Sequence, residues 1–212
     1  MRAASRCLCP DLPSVPTRTQ LLILQHPRER FHPFGTARLV QLAIPATRVE
    51  VTLGGFAGDM HHPVPVPADA AVLFPHPQAL DLAALPAAER PSTLVVLDGT
   101  WPNARKVYRA NPWLWPLRHV RIHPDAPSRY RIRKEPRADY LSTIEAVTVA
   151  LRILEPDNAA LDALLTLFDR MVERQLACLA ALGPDGLKPR PPKIRRRAPK
   201  WPEPPLSTRN LP

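Results

Sequence analysis

The sequence is poor in cysteine, with only Cys7, Cys9 and Cys178, so a disulfide framework is excluded. No run approaches the roughly 20 consecutive apolar residues that a membrane-spanning helix needs. The first residues also lack the basic and then apolar pattern of a secretory signal. From these absences we expect a cytoplasmic protein that has no membrane partner.

Glycine motifs that bind phosphate and clusters of metal ligands are also missing. The chain has seven glycines and contains neither Gly-x-Gly-x-x-Gly nor a Walker loop, which argues against an ordinary dinucleotide or nucleoside triphosphate site. Cys7 and Cys9 supply only two of the four ligands of a tetrahedral zinc site. His61-His62 precedes a proline-rich loop without a carboxylate pattern. We therefore predict no metal site, with Cys7 and Cys9 as the remaining zinc candidate.

Proline and positive charge are abundant, with 29 prolines and a net charge of +10. Residues 183–212 hold eight basic and two acidic side chains and so carry +6, which leaves +4 for residues 1–182. Because this proline-rich basic stretch cannot bury a core, we predict one folded domain over 1–182 and a disordered tail over 183–212. The tail suits a polyanion such as nucleic acid, or serves as a solubilising extension.

Short apolar runs alternate with helical patterns upstream of the tail. The predicted strands cover 20–25, 48–53, 71–74, 93–97 and 118–123. The predicted helices cover 36–43, 78–84, 102–111, 142–155 and 158–182. Such alternation is typical of an α/β protein with a largely parallel sheet and helices on both faces.

The strand predicted at 93–97 ends abruptly at a polar turn, which reads Asp98-Gly99-Thr100-Trp101. A proline follows at position 102 and suits the first turn of a helix. The turn would lie at the carboxyl end of a strand, where open α/β sheets bind ligands. His26 to Glu29 and Pro75 to Pro77 follow two other predicted strands, so the three loops should meet at one edge of the sheet.

Two further stretches carry polar side chains that suit a binding site. Residues 128–134 interleave arginines with Tyr130, which suits a surface that tracks an RNA backbone and stacks bases, although an exposed edge strand has the same pattern. Residues 142–145 form a capping box with Ser142 and Glu145, and such a helix N-terminus attracts anions.

Together these segments resemble the DTW-domain family, the tRNA-uridine aminocarboxypropyltransferases. The signature Asp-x-Thr-Trp stands at 98–101. The other matches, in the family's order, are Gln25-His26-Pro27-Arg28-Glu29, Gly35-Thr36-Ala37-Arg38, Ser128-Arg129-Tyr130-Arg131 and Leu141-Ser142-Thr143-Ile144-Glu145-Ala146. The resemblance covers about residues 6–155.

The resemblance implies transfer of the 3-amino-3-carboxypropyl group of S-adenosylmethionine to N3 of a tRNA uridine, with methylthioadenosine released. It also implies a SPOUT-like, knotted domain. Members usually carry four N-terminal cysteines, of which only Cys7 and Cys9 stand here. The catalytic candidate is Asp98, either as the base for N3 or as a group that orients the donor's ammonium.

The remaining candidate site residues lie in these matches, in the loop after the strand at 71–74, in the helix predicted at 102–111 and in the basic stretch at 128–134. The candidates for donor binding are Pro75, Gly99, Thr100, Trp101, Leu141, Ser142, Thr143 and Glu145. The candidates for RNA binding are His26, Arg28, Arg105, Arg129, Tyr130, Arg131 and Arg133.

Three other functions fit parts of the pattern. A methyltransferase of the same fold would release S-adenosylhomocysteine instead of methylthioadenosine. A non-catalytic RNA-binding protein would depend on its basic tail and bind no donor. A hydrolase would use His26 or His76 with Asp98, but no nucleophile elbow is present.

Overall fold

The computed structural model describes residues 7–52, 63–132 and 140–181. In these residues six parallel strands form one sheet, in the order β2-β1-β5-β3-β6-β4. The strands are β1 Gln20–Gln25, β2 Thr47–Val51, β3 Ala71–Leu73, β4 Leu80–Asp81, β5 Thr93–Asp98 and β6 Arg118–Arg121. The predicted parallel sheet is confirmed. The predicted tail and His61-His62 lie outside the described residues.

The helix predicted over 78–84 is wrong. Leu80 and Asp81 form β4 instead and pair with Val120 and Arg121 of β6. Leu82–Ala84 then form a single 3-10 turn, which Asp81 caps by accepting a hydrogen bond from the Ala83 N–H at 3.0 Å. The segment is alanine-rich, but it is too short to repay helix nucleation, so pairing at the sheet edge decides its structure.

Four helices lie within the described residues, namely α1 Ala37–Ala43, α2 Trp101–Ala110, α3 Thr143–Leu154 and α4 Asp162–Ala181. The last helix begins four residues later than the sequence predicts, after a 3-10 turn over Ala159–Leu161. None of the helices in this part of the chain is long and apolar enough to cross a membrane.

Alternate residues of the strands point to opposite faces of the sheet, and each face has its own core. The larger core joins one set of strand residues to α1, α3 and α4, through Leu21, Ile23, Leu94, Val96, Val40, Ile144, Leu151 and Phe168. The smaller core joins the other set to α2, through Leu22, Leu24, Val72, Val95 and Val107. Helices therefore cover both faces, as the sequence predicts.

Candidate active site

A cleft of about 340 Å³ opens at the carboxyl edge of the sheet. Its walls come from the loops after β1, β3, β5 and β6 and from the N-terminus of α3. Cavities of this size suit a small-molecule ligand. The sequence predicts that the loops after β1, β3 and β5 meet at this edge, and the loop after β6 and the start of α3 join them there. Six of the eight candidates for donor binding line the cleft, namely Pro75, Gly99, Trp101, Leu141, Ser142 and Thr143.

Asp98 ends β5 and lies in the wall of the cleft with only 5% of its surface exposed. Its Oδ2 accepts a hydrogen bond from Gln25 Nε2 at 2.9 Å, and its Oδ1 accepts one from Thr143 Oγ1 at 2.5 Å. Gln25 is its register partner on β1, while Thr143 opens α3. These two contacts fix the Asp98 carboxylate at one place in the wall of the cleft.

The turn after Asp98 brings α2 against the loop that follows β1. Gly99 has φ of 156°, and a Cβ there would come within 3.0 Å of Asn103 Cβ and 3.4 Å of His26 Cβ. Thr100 caps α2 by accepting a hydrogen bond from the Asn103 N–H at 3.4 Å, and it does not line the cleft. Thr100 therefore shapes the turn, and glycine is required for the close approach of the two loops.

Two aromatic rings stand together in the cleft wall. Trp101, the first residue of α2, packs against Tyr140 with ring centroids 4.3 Å apart and planes 35° apart. Both side chains are half-buried and both line the cleft. Flat aromatic surfaces of this kind suit a planar heterocycle.

Glu145 has a structural role that differs from the predicted contact with a donor. Its carboxylate accepts hydrogen bonds from Ser128 Oγ at 2.8 Å, the Arg129 N–H at 2.7 Å, the Ser142 N–H at 2.8 Å and Ser142 Oγ at 2.6 Å. It is 4% exposed and does not line the cleft. The predicted capping box is present. Glu145 thus joins the loop at 128–129 to the start of α3.

Two of the RNA-binding candidates, His26 and Tyr130, are buried, and Tyr130 also lines the cleft. Tyr130 is 6% exposed, donates its hydroxyl to the Phe34 carbonyl at 3.0 Å and packs on Phe168. His26 is also 6% exposed, and its Nδ1 accepts a hydrogen bond from the Arg28 N–H at 3.2 Å. Burial lowers the pKa of His26 and so favours the neutral form of its ring.

The basic candidates have different surroundings. Arg28 and Arg131 are exposed, and Arg105 is half-buried on α2. Arg129 forms an ion pair with Asp169 of α4 at 2.8 Å. Arg133 lies outside the described residues. The 128–132 stretch forms a loop and not the edge strand that was the alternative.

Several residues that line the cleft or contact its wall are missing from the sequence-based prediction. Gln25 holds Asp98, Tyr140 packs on Trp101, and Glu29 lines the cleft while accepting a hydrogen bond from Asn103 Nδ2 at 3.3 Å. Gln25 and Glu29 belong to the Gln-His-Pro-Arg-Glu motif, and membership of this motif could have identified both as candidate site residues. Nothing in the sequence singles out Tyr140.

The N-terminal cysteines lie close together, with Cys7 and Cys9 Sγ atoms 2.8 Å apart. The hydrogen bond to Cys7 raises the pKa of the Cys9 thiol. No group of three or more histidine, cysteine, aspartate or glutamate side chains in the described part of the chain is arranged to hold a metal ion.

The parallel sheet and the helices on both of its faces define an α/β protein with an open cleft at the carboxyl edge of the sheet. The family model described as "DTW domain" matches residues 1–176, and the chain belongs to this family. Comparison with solved structures finds no match.

Curated relatives carry one name across several animals. A Macaca fascicularis protein named "tRNA-uridine aminocarboxypropyltransferase 2" is 32% identical over 178 residues, 80% of this chain and 60% of the relative. The Drosophila melanogaster protein of that name is 33% identical over 156 residues, 70% of this chain and 62% of the relative. The Mus musculus protein is 31% identical over 207 residues, 90% of this chain and 70% of the relative. The chain thus spans about 60% of the length of the first two relatives.

Proposed function

We propose that the protein transfers the 3-amino-3-carboxypropyl group of S-adenosylmethionine to N3 of a uridine in tRNA. The product would be 3-(3-amino-3-carboxypropyl)uridine, and methylthioadenosine would leave. The observation that carries this proposal is the position of Asp98, fixed by Gln25 and Thr143 in the wall of a cleft at the carboxyl edge of the sheet. Membership of the DTW family and the names of the relatives support it.

The charges and rings of the cleft fit such a donor. Asp98 and Glu29 supply negative charge for the sulfonium and the ammonium, while Arg121 and the N-terminus of α3 suit the donor's carboxylate. Trp101 and Tyr140 supply flat surfaces for the adenine. The cleft therefore offers one matching group for each of the positive, negative and aromatic parts of the donor.

The reaction forms a bond between N3 of the uridine and the donor's Cγ as the Cγ–S bond breaks and its electron pair passes to sulfur. We assign to Asp98 the acceptance of the N3 proton, because it is a carboxylate in the wall of the cleft. The remaining task of the cleft is alignment of the two reacting atoms.

We further propose that tRNA approaches over the loops that carry Arg28 and Arg131, both of which are exposed. We also propose that the domain follows a SPOUT-like knotted path and that the basic stretch at 183–212 contributes to RNA affinity. The family resemblance supports the knot, and the charge of +6 supports the contribution of the tail.

The test is mass spectrometry of nucleosides after incubation of the protein with S-adenosylmethionine and unmodified tRNA. We expect a modified uridine with the mass of the aminocarboxypropyl adduct, and methylthioadenosine in equal amount. S-adenosylhomocysteine and a methylated nucleoside would instead identify a methyltransferase. No product and no donor binding would favour the non-catalytic RNA-binding function.

Asp98→Asn keeps the shape of the side chain but removes its charge and basicity, so product formation should fall at least about 100-fold, the usual contribution of a positioned base. Donor affinity, measured by calorimetry, separates the two roles of Asp98. An unchanged dissociation constant indicates a base, whereas a weakened one indicates a group that holds the donor's positive charge. Normal product formation by Asp98→Asn would show that Asp98 takes no part in the reaction.

A further inference from the structure

One aromatic ring beside the cleft is exposed and has no part in the site described above. Phe31 is 82% exposed, more than any other large apolar residue in the described ranges. It lies in the loop after β1, between Glu29 and His32, both of which line the cleft. Leaving a phenylalanine in water forgoes the free energy of burial, and a ring held between two residues that line the cleft is placed to bind part of a ligand that enters it.

The loop that carries Phe31 is built of successive hydrogen-bonded turns. The Arg30 N–H donates to the Pro27 carbonyl at 3.3 Å, and the His32 N–H donates to the Glu29 carbonyl at 3.0 Å. The Glu29 side chain is fixed to α2 by Asn103. The loop is therefore formed before any partner arrives, and binding on it costs little ordering entropy.

The charges around Phe31 indicate what kind of partner it takes. Arg28 and Arg30 are exposed in the same loop, and the Arg30 guanidinium lies 5.1 Å from the centre of the Phe31 ring. Arg131 is exposed in the loop that Tyr130 ties to the Phe31 loop through the Phe34 carbonyl. A single ring among cations suits a partner that offers both flat rings and negative charge, which is single-stranded nucleic acid.

We propose that Phe31 stacks on the nucleobase next to the target uridine, while Arg28 and Arg30 contact the flanking phosphates. This inference rests on the proposed function, because it places the target base in the cleft and its neighbour at the mouth. A base that enters the cleft must leave its stack, and a ring outside the cleft replaces the lost stacking partner of the neighbour.

The first measurement is the steady-state KM for tRNA in Phe31→Ala. Loss of one base stack should raise this KM by about 5- to 100-fold. The kcat should change by less than about twofold, and donor affinity should be unchanged. Phe31→Trp and Phe31→Tyr should keep the KM within about threefold of the wild-type value, because any aromatic ring offers a face for stacking. Leu42→Ala is the matched control, since Leu42 is 51% exposed in the last turn of α1, toward the opposite edge of the sheet.

The salt dependence of the KM for tRNA distinguishes the contribution of the Phe31 ring from that of the neighbouring arginines. In a plot of log KM against log salt concentration, Arg30→Gln should reduce the slope by about one, whereas Phe31→Ala should leave the slope unchanged. If either substitution acted only by disturbing the fold, the two variants would not differ in this way in the salt dependence of KM. An unchanged KM for tRNA in Phe31→Ala would overturn the inference. The exposed ring would then be assigned to contact with a protein partner instead.

A direct measurement of tRNA binding tests the Phe31 contact independently of the proposed reaction. Fluorescence anisotropy with labelled tRNA and no donor measures affinity without catalysis. If the wild-type protein binds tRNA but forms no adduct, the proposed reaction fails, and a weaker affinity of Phe31→Ala would still support the stacking contact. If adduct forms normally and Phe31→Ala binds as tightly as the wild type, the stacking contact alone fails.

Discussion

Removal of the Glu145 carboxylate should destabilise the fold and leave donor affinity intact. In Glu145→Ala the N–H groups of Arg129 and Ser142 lose their acceptor, together with the hydroxyls of Ser128 and Ser142. The hydroxyls can turn toward other acceptors or water. The two backbone donors cannot turn, because the start of α3 and the 128–129 loop fix them.

The magnitude follows from those two donors. Each backbone N–H left without a partner in a buried place costs about 1–3 kcal/mol, so the variant should lose about 2–6 kcal/mol. A domain of this size has about 5–15 kcal/mol of stability and should remain folded at room temperature. With a urea dependence of about 2 kcal/mol per molar, the midpoint of unfolding should fall by about 1–3 M.

Urea unfolding and calorimetric titration with S-adenosylmethionine provide the assay. Glu155→Ala is the matched control, because Glu155 is also buried, at 2% exposure, and accepts a hydrogen bond from the Thr19 N–H at 2.8 Å away from the cleft. Both variants should lose stability and keep donor affinity. A Glu145→Ala protein with the wild-type midpoint and a donor dissociation constant raised tenfold would refute the structural role.

Three further predictions concern stability. Gly99→Ala should lower the melting temperature by several degrees, through about 1–2 kcal/mol of destabilisation, because the new Cβ meets Asn103 Cβ at 3.0 Å; an unchanged value would contradict this. Tyr130→Phe should cost about 1 kcal/mol in urea unfolding, since the hydrogen bond to the Phe34 carbonyl is lost, and equal midpoints would count against that bond. Burial lowers the pKa of His119 to about 4. Because the unfolded chain then binds more protons than the folded protein, the free energy of unfolding should fall as the pH drops from about 6.5 to 4. The His119→Gln variant should lose much of this pH dependence.

The parts of the fold that the sequence predicts are those dictated by short-range pattern. The apolar run that ends at Asp98 can form only a buried strand before a polar turn, and β5 Thr93–Asp98 is such a strand. Ser142 and Glu145 are spaced for a capping box, and α3 begins there. Such features need no knowledge of which segments become neighbours.

The rest depends on neighbours that lie far away in the chain. Leu80 and Asp81 become a strand because β6 offers them a free edge, although their own sequence favours a helix. Tyr130 has the sequence context of an exposed stacking residue, yet Phe168 of α4 covers its ring. The contact of Gln25 with Asp98 exists because β1 and β5 pair in one register.

The central claim is that the cleft at the carboxyl edge of the sheet holds the donor beside Asp98. A crystal structure of the protein with S-adenosylmethionine tests it most directly. We expect the adenine against Trp101 and a positively charged group of the donor within about 4 Å of an Asp98 carboxylate oxygen. Donor density at another place, with the cleft empty and Asp98 far from any ligand atom, would contradict the claim.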